Sequence, residues 1–245
     1  MNTAVVDLRV NWLGRIEFQR ALALQEAIVL KKREDPSLED QLLLLEHEPV
    51  YTIGRTPDRS SLSAAGPGTG RIRPQAKRIR RGELDGTHLP HPLFVINRGG
   101  QATYHGPGQL IGYPIIDLRR CGQDLHKYLR WLEQLLIDIV AEHGIGGARR
   151  ESLTGVWAGA RKIASIGVGV RSWITMHGFA LNVCGDLSPF HHIIPCGINN
   201  VEMTSIEKET GTAVSVGSVA ASVEKLAPDQ ILDLRVIRKA QSIHG

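Results

Sequence analysis

Ile193-Ile-Pro-Cys-Gly-Ile198 sets Cys196 between a proline that fixes its own φ and a glycine free to take either sign. A cysteine on so sharp a turn presents its sulfur outward with free backbone N–H groups nearby, the arrangement a nucleophile beside an oxyanion site needs. Free cysteines are also small buried hydrophobes, and spacing alone leaves both roles open. Cys184, in Asn182-Val-Cys-Gly-Asp186, reads as a packing residue at a strand end, and Cys121 fits either role.

A thiol with a pKa of about 8.5 is mostly protonated at neutral pH and needs a base or a fixed positive charge close by. Lys162, in Gly159-Ala-Arg-Lys-Ile-Ala-Ser-Ile-Gly167, is the candidate, because its strand is otherwise small or apolar. A lysine stripped of hydration can take a proton from a thiol or stabilise the thiolate. The competing reading is an edge-strand lysine that guards against aggregation. Gly167 and Gly178, each inside a strand pattern, mark close approach of a ligand to the backbone.

Arg98-Gly-Gly-Gln-Ala-Thr-Tyr-His-Gly-Pro-Gly-Gln109 follows the apolar run Leu93-Phe-Val-Ile96 and holds four glycines, one proline, one arginine and one histidine. Such a loop is shaped, and it offers donors and an aromatic wall to something small held against the backbone. A tight crossover whose glycines serve only topology is the alternative. His191 and His192 precede Cys196 at a spacing zinc tolerates, but no second ligand pair accompanies them, so a metal is not expected and one imidazole should bond the loop near the thiol. No G-x-x-x-x-G-K-[ST] motif occurs, which disfavours a P-loop nucleotide site.

The elements that must position these residues are legible in outline. Arg15 to Glu34 reads as a helix with Phe18, Ala21, Leu22, Ile28 and Val29 on one face, interrupted by Gln25. Gln41 to Leu45 and Val50 to Ile53 read as a strand pair broken by Pro49, Leu93 to Ile96 as a strand, and Gln109 to Leu118 as a strand with Pro114 at an edge or bulge. The clearest helix is Asp124 to His143, capped by Asp124 and ended by Gly144. After the loop Gly144 to Ser152, Thr154 to Ala158, Arg161 to Val170 and Ile174 to Val183 follow with short turns and so pair antiparallel. Val214 to Leu226 and Asp229 to Ser242 read as two helices. The fold class is α+β (or α/β), a mixed β-sheet flanked by helices.

With 245 residues and 42% hydrophobic content, one domain is the simplest organisation. No run is long and apolar enough for a membrane span and no secretory signal is evident, so the expected compartment is the cytoplasm. Three cysteines without a C-x-x-C pair argue against a disulfide framework. The net charge of +4 is local: Arg71, Arg73, Lys77, Arg78, Arg80 and Arg81 lie within eleven residues, and elsewhere acidic side chains slightly outnumber basic ones. That cluster belongs to a Ser, Gly, Pro and Arg-rich segment, about 58–92, read as a solvated loop insert, with docking of an acidic partner as the second reading.

Taken together, Arg98 to Gln109, Lys162-Ile-Ala-Ser-Ile-Gly167, His177-Gly-Phe-Ala-Leu-Asn182 and Pro195-Cys-Gly197 resemble, in order and spacing, the lipoyl(octanoyl) transferases over about residues 40–210. The resemblance implies the fold of biotin and lipoate protein ligases, across a single catalytic domain spanning 1–245 with the insert at about 58–92 and a helical extension after about 210. It implies an acyltransferase that moves an octanoyl group from acyl carrier protein to a lysine of lipoate-dependent proteins, namely the lipoyl domains of 2-oxoacid dehydrogenases and the glycine cleavage H protein, with no cofactor. By position, Cys196 would accept the acyl group and Lys162 would activate it. Arg98, Gly99, Gly100, Gln101, Ala102, Thr103, Tyr104, His105, Ser165, Ile166, Gly167, Gly178, Phe179 and Ala180 would line the acyl site. The rivals are an ATP-dependent lipoate or biotin ligase and a non-catalytic acyl- or nucleic-acid-binding protein; against nucleic acid, no aromatic residue lies in the basic cluster to stack a base.

Overall fold

Four consecutive leucines, Leu42 to Leu45, send alternate side chains to opposite faces of a strand, and both faces are buried. The structure, a computed structural model, describes residues 8–55, 60–62 and 89–235. On β2 (Asp40–His47), Leu42 and Leu44 join a core under α2 (Leu125–Ala141) and α4 (Val216–Arg235). Leu43 and Leu45 face α1 (Phe18–Glu34) with Ala21 and Val29. The sheet between these layers has seven strands in the order β1 (Leu8–Ile16), β2, β6 (Gln109–Ile115), β10 (Ile174–Asn182), β9 (Arg161–Arg171), β8 (Leu153–Ala158) and β7 (Gly147–Arg150). β1 and β2 run parallel, joined by α1 as the crossover, and the other neighbours run antiparallel. A smaller sheet sets β3 (Val50–Ile53) between β4 (Leu93–Val95) and β5 (Thr103–His105).

The expected mixed sheet flanked by helices is present, and several boundaries differ from the sequence reading. β2 and β3 do not pair with each other; past Pro49 the chain crosses to the second sheet. α1 starts at Phe18 because Arg15 and Ile16 end β1, a strand whose alternation of Leu8, Val10 and Trp12 is broken by a register shift before Arg15. β6 is central, not an edge. Pro114 is opposite Leu42 on β2 and beyond the last β10 pair at Gly112, where Thr175 Oγ1 donates to its carbonyl at 2.7 Å. The two expected C-terminal helices are one helix, α4, with Pro228 inside. Val223, Ala227, Ile231 and Leu234 keep three-and-four spacing across that proline, so the packed face outweighs the one lost hydrogen bond. A short helix, α3 (Ile206–Thr210), and strand β7 also formed where loops were expected. The basic cluster and the residues after Arg235 lie outside the described residues.

Buried charge pins the layers together. Asp40 at the start of β2 receives Lys32 Nζ of α1 at 2.9 Å and an Arg235 guanidinium nitrogen of α4 at 2.6 Å. Glu133 of α2, itself buried, pairs with Arg130 and Arg149 at 2.6 and 3.1 Å and accepts the Gly155 N–H of β8 at 3.3 Å. Among the described residues, no helix is long and apolar enough to cross a membrane.

Candidate active site

β8 follows β9 only as far as the pair Gly155–Ser165, so β9 keeps a free edge from Ile166 onward. The glycine-rich loop occupies it: Gly99 N–H donates to Val168 O at 2.9 Å. Beside this junction opens a cavity of about 500 Å³ whose walls include Cys196, Lys162, Arg98, Thr103, Ser165 and His177.

Cys196 lies in a 3-10 turn, Pro195–Gly197, in a left-handed conformation with φ 56° and ψ 16°. Its thiol donates toward Ser165 Oγ at 3.6 Å. The backbone around it corrects the expectation of free N–H groups. Cys196 N–H is given to Ala102 O at 2.8 Å, Gly197 N–H to Ile194 O at 3.0 Å and Ile198 N–H to Pro195 O at 3.1 Å. A sharp turn consumes its own donors when it closes hydrogen bonds, and this one leaves oxyanion stabilisation to side chains. Gly197 has φ 71°, and a Cβ there would stand 2.7 Å from the Gln101 side chain, so only glycine lets that amide lie against the cysteine turn.

Lys162 does not sit on an edge strand. At this level β9 has β8 on one side, with Trp157 opposite Lys162, and on the other the segment around Met203, where the lysine backbone bonds Glu202 O and Thr204 N; the residue is 1% exposed. Its Nζ donates to Thr154 O at 3.2 Å and lies 4.7 Å from the centre of the Trp157 ring. Gly155 makes the room: at φ 138°, a Cβ would meet Ala164 O at 2.6 Å and Lys162 Cε at 2.9 Å. Lysine and cysteine thus share one cavity, while the Nζ hydrogen bond goes to a carbonyl.

Arg98 and His105 are parts of a directional hydrogen-bond chain. Arg98 donates to Gly99 O, Thr52 O and Thr52 Oγ1 at 2.9, 3.0 and 2.9 Å. Because Thr52 Oγ1 accepts there, its proton points to His105 Nε2 at 3.3 Å; His105 Nδ1–H then donates to Gln109 Oε1 at 3.3 Å, and Gln109 donates to Tyr104 O. Burial, with His47, Arg98 and His177 nearby, holds the His105 pKa well below the usual histidine range, so the ring is neutral with one tautomer. Burial likewise lowers the pKa of Arg98, while the neighbouring Cys196 acts in the opposite sense. Among the described residues no carboxylate lines the cavity, whereas Arg55, Arg98 and Lys162 do. A site so charged favours a developing oxyanion.

Of the acyl-site residues read from sequence, Arg98, Gly99, Gly100, Gln101, Thr103, His105, Ser165, Ile166, Gly167, Gly178, Phe179 and Ala180 line this cavity. Ala102 and Tyr104 do not. β5 alternates, so Thr103 and His105 face the cavity while Tyr104 turns into a separate cluster with Tyr51 and Phe190 and Ala102 supplies its carbonyl to Cys196. His191 and His192 are exposed on the 3-10 turn Ser188–His192, and neither ring bonds the cysteine loop. No group of three His, Cys, Asp or Glu side chains that could hold a metal ion occurs among the described residues.

Sequence reasoning missed Phe18, Tyr113 and His177, which complete the far wall. Tyr113 OH donates to His47 Nε2 at 2.7 Å, since His47 Nδ1–H is committed to Ile16 O at 2.8 Å; burial pushes the His47 pKa down to about 4. His177 has φ 56°, and its N–H donates at 2.8 Å to Oε1 of Gln25, the residue that broke the apolar face of α1. A lone glutamine on an otherwise apolar helical face was the available signal.

The lipoyl protein ligase A/B catalytic domain family matches residues 17–226. The octanoyltransferase of Geobacter metallireducens is 48% identical over 216 residues, 88% of this chain and 90% of its own. That of Geobacter sulfurreducens is 46% identical over 219 residues, covering 88% and 81%. Among solved structures, a T. acidophilum protein with bound lipoic acid reaches a TM-score of 0.65 at 16% identity, covering 92% of this chain and 86% of that one. A lipoate-protein ligase A bound with ATP reaches 0.60 at 14%, covering 93% and 85%. Both likenesses speak to the fold alone.

Proposed function

The chain belongs to the lipoyl protein ligase A/B catalytic domain family and, within it, to the octanoyltransferases, and from that premise we propose that it transfers an octanoyl group from octanoyl-acyl carrier protein to a protein lysine through a thioester on Cys196. It is an acyltransferase. The acceptors in this reading are lipoyl domains of 2-oxoacid dehydrogenases and the glycine cleavage H protein, the setting is the cytoplasm, and residues 1–245 act as one catalytic unit without a cofactor.

The observation that carries the reading is the single cavity in which a thiol on a left-handed turn shares its walls with a buried lysine and a lane of small residues, Ala180 and Gly178. In the first half, Cys196 gives its proton to Lys162 and attacks the thioester carbonyl; the carrier's sulfur leaves and takes that proton back as a thiol. One thioester replaces another, so no ATP is required. In the second half the acceptor's neutral ε-amine attacks the octanoyl carbonyl, Lys162 takes a proton from the nitrogen, and Cys196 departs as thiolate to recover it. Formation of an amide from a thioester makes the sequence one-way. The charge on each tetrahedral intermediate falls to side-chain donors, Lys162 and Ser165, because the backbone N–H groups of the cysteine turn are occupied.

Intact-mass spectrometry after mixing with octanoyl-carrier tests the scheme: the native protein gains one octanoyl group, and Cys196→Ala gains none and transfers nothing to a lipoyl domain. Full transfer by Cys196→Ala overturns it. Free octanoate with ATP should yield no amide; product there would move the assignment to a ligase.

A further inference from the structure

A second cavity, of about 660 Å³, lies between α1, the β4 segment and β10, with Leu22, Val29, Phe94 and Met176 among its walls. It shares Arg55, Ile96 and His177 with the cavity that holds Cys196. Arg55 is exposed at the surface, whereas Ile96 and His177 are 8% and 3% exposed, so these two form the inner partition between the spaces.

The distance from thiol to partition follows from the sheet register. Ser165, the partner of the Cys196 sulfur, is paired with Ala180, and His177 stands three residues further along the same strand. Three residues of strand cover roughly 10 Å. An extended eight-carbon acyl chain, with seven bonds of about 1.5 Å in a zigzag, spans roughly 9 Å. Its methyl end therefore arrives at the imidazole.

We propose that His177 is the stop that sets acyl length, closing the cavity at eight carbons and separating it from the neighbouring cavity, whose apolar wall of Leu22, Val29, Phe94 and Met176 lies among polar side chains and is able to take a longer chain. This rests on the Cys196 acyl-enzyme reading above. The ring is held for the task from three sides. The left-handed backbone turns it toward Tyr113, whose ring it meets edge-on at 6.2 Å; the residue's backbone N–H is anchored on Gln25; and the ring Cδ2 lies against Gly169, where a Cβ would already be only 3.4 Å away. Burial, with Arg98 nearby, pushes its pKa down to about 3, so the face met by the methyl end is uncharged.

The test is a series of acyl-carrier thioesters from six to sixteen carbons, read as kcat/KM and as mass added to Cys196. The native protein should lose at least tenfold between eight and twelve carbons. His177→Gly and His177→Asn, both compatible with the left-handed backbone, should remove that drop, and Ile96→Ala, which trims the other half of the partition, should shift it the same way. General loosening of the fold lowers every chain length together and leaves the ratio unchanged. If folded His177→Gly and Ile96→Ala keep the native length profile, or if the native protein takes twelve carbons as readily as eight, the stop is disproved while the transferase stands. If no chain length is loaded on native Cys196, the transferase reading itself fails.

Discussion

The thiol of Cys196 points at the hydroxyl of Ser165 across 3.6 Å, while the N–H of the same cysteine is spent on Ala102 O. Ser165 accepts from the resting thiol, and once the thiol gives up its proton the hydroxyl is free to turn and donate to the oxygen that gathers charge. Removing a single oxyanion donor costs on the order of a hundredfold in rate. Ser165→Ala is expected to slow Cys196 acylation by roughly that factor with little change in melting temperature, measured in a single turnover. Acylation at the native rate would take the hydroxyl out of the chemistry.

Gly155 and Lys162 interlock in the same way that a socket and pin do. Gly155→Ala places a methyl group against Ala164 O and the lysine's own Cε, at a φ that disfavours any side chain. Backbone strain of this kind costs on the order of 1–3 kcal/mol, so the variant should fold with a lowered denaturant midpoint. Its loss of transfer should exceed what the lost stability explains, because the lysine must move. Equal loss of both, across temperatures where the variant is fully folded, would reduce Gly155 to a turn residue.

The sequence candidates that line the cavity are those whose type is unusual for its surroundings. Four glycines beside an arginine and a histidine, or a lysine amid small apolar neighbours, conflict with a plain structural role, and that conflict is visible without coordinates. What stayed hidden depends on partners distant in the chain. Gln25 looked like a flaw in an amphipathic face until His177, 152 positions away, supplied the N–H it accepts. Strand β5 is three residues long and carries no periodicity of its own, so the split between Thr103 and Tyr104 could not be read. The split into helices at Val214 to Leu226 and Asp229 to Ser242 leaves Pro228 between them, and the packed face of α4 carries one helix through it.

His47, His105 and His177 should make the fold sensitive to acid. Burial lowers the pKa of each in the folded state, to about 4 for His47 and about 3 for His177, while the unfolded chain binds protons with a pKa of about 6.5. Below that value the unfolded state takes up protons that the folded state refuses. Stability from these rings is therefore complete above about pH 6.5 and is lost progressively as pH falls toward 3. Urea midpoints should drop between pH 7 and pH 5, and His47→Gln should flatten the slope. A midpoint independent of pH in that window would mean the rings are charged in the fold.

The three thiols should be separable by alkylation. Cys121 is buried, and burial together with Asp40 raises its pKa to about 11; the Cys184 thiol is pushed up by burial and by Glu207 and Glu46. Neither offers much thiolate at neutral pH, and the thiolate is the reacting species. Cys196 lines a cavity beside Arg98 and Lys162 that no carboxylate faces among the described residues. Iodoacetamide at pH 7 should label Cys196 first, as peptide mapping can establish. If Lys162 takes the thiol proton, Lys162→Met should slow that labelling at least tenfold while leaving Cys121 and Cys184 unchanged. Labelling at the native rate would leave the lysine to the later proton transfers and assign the thiolate's stabilisation to Arg98.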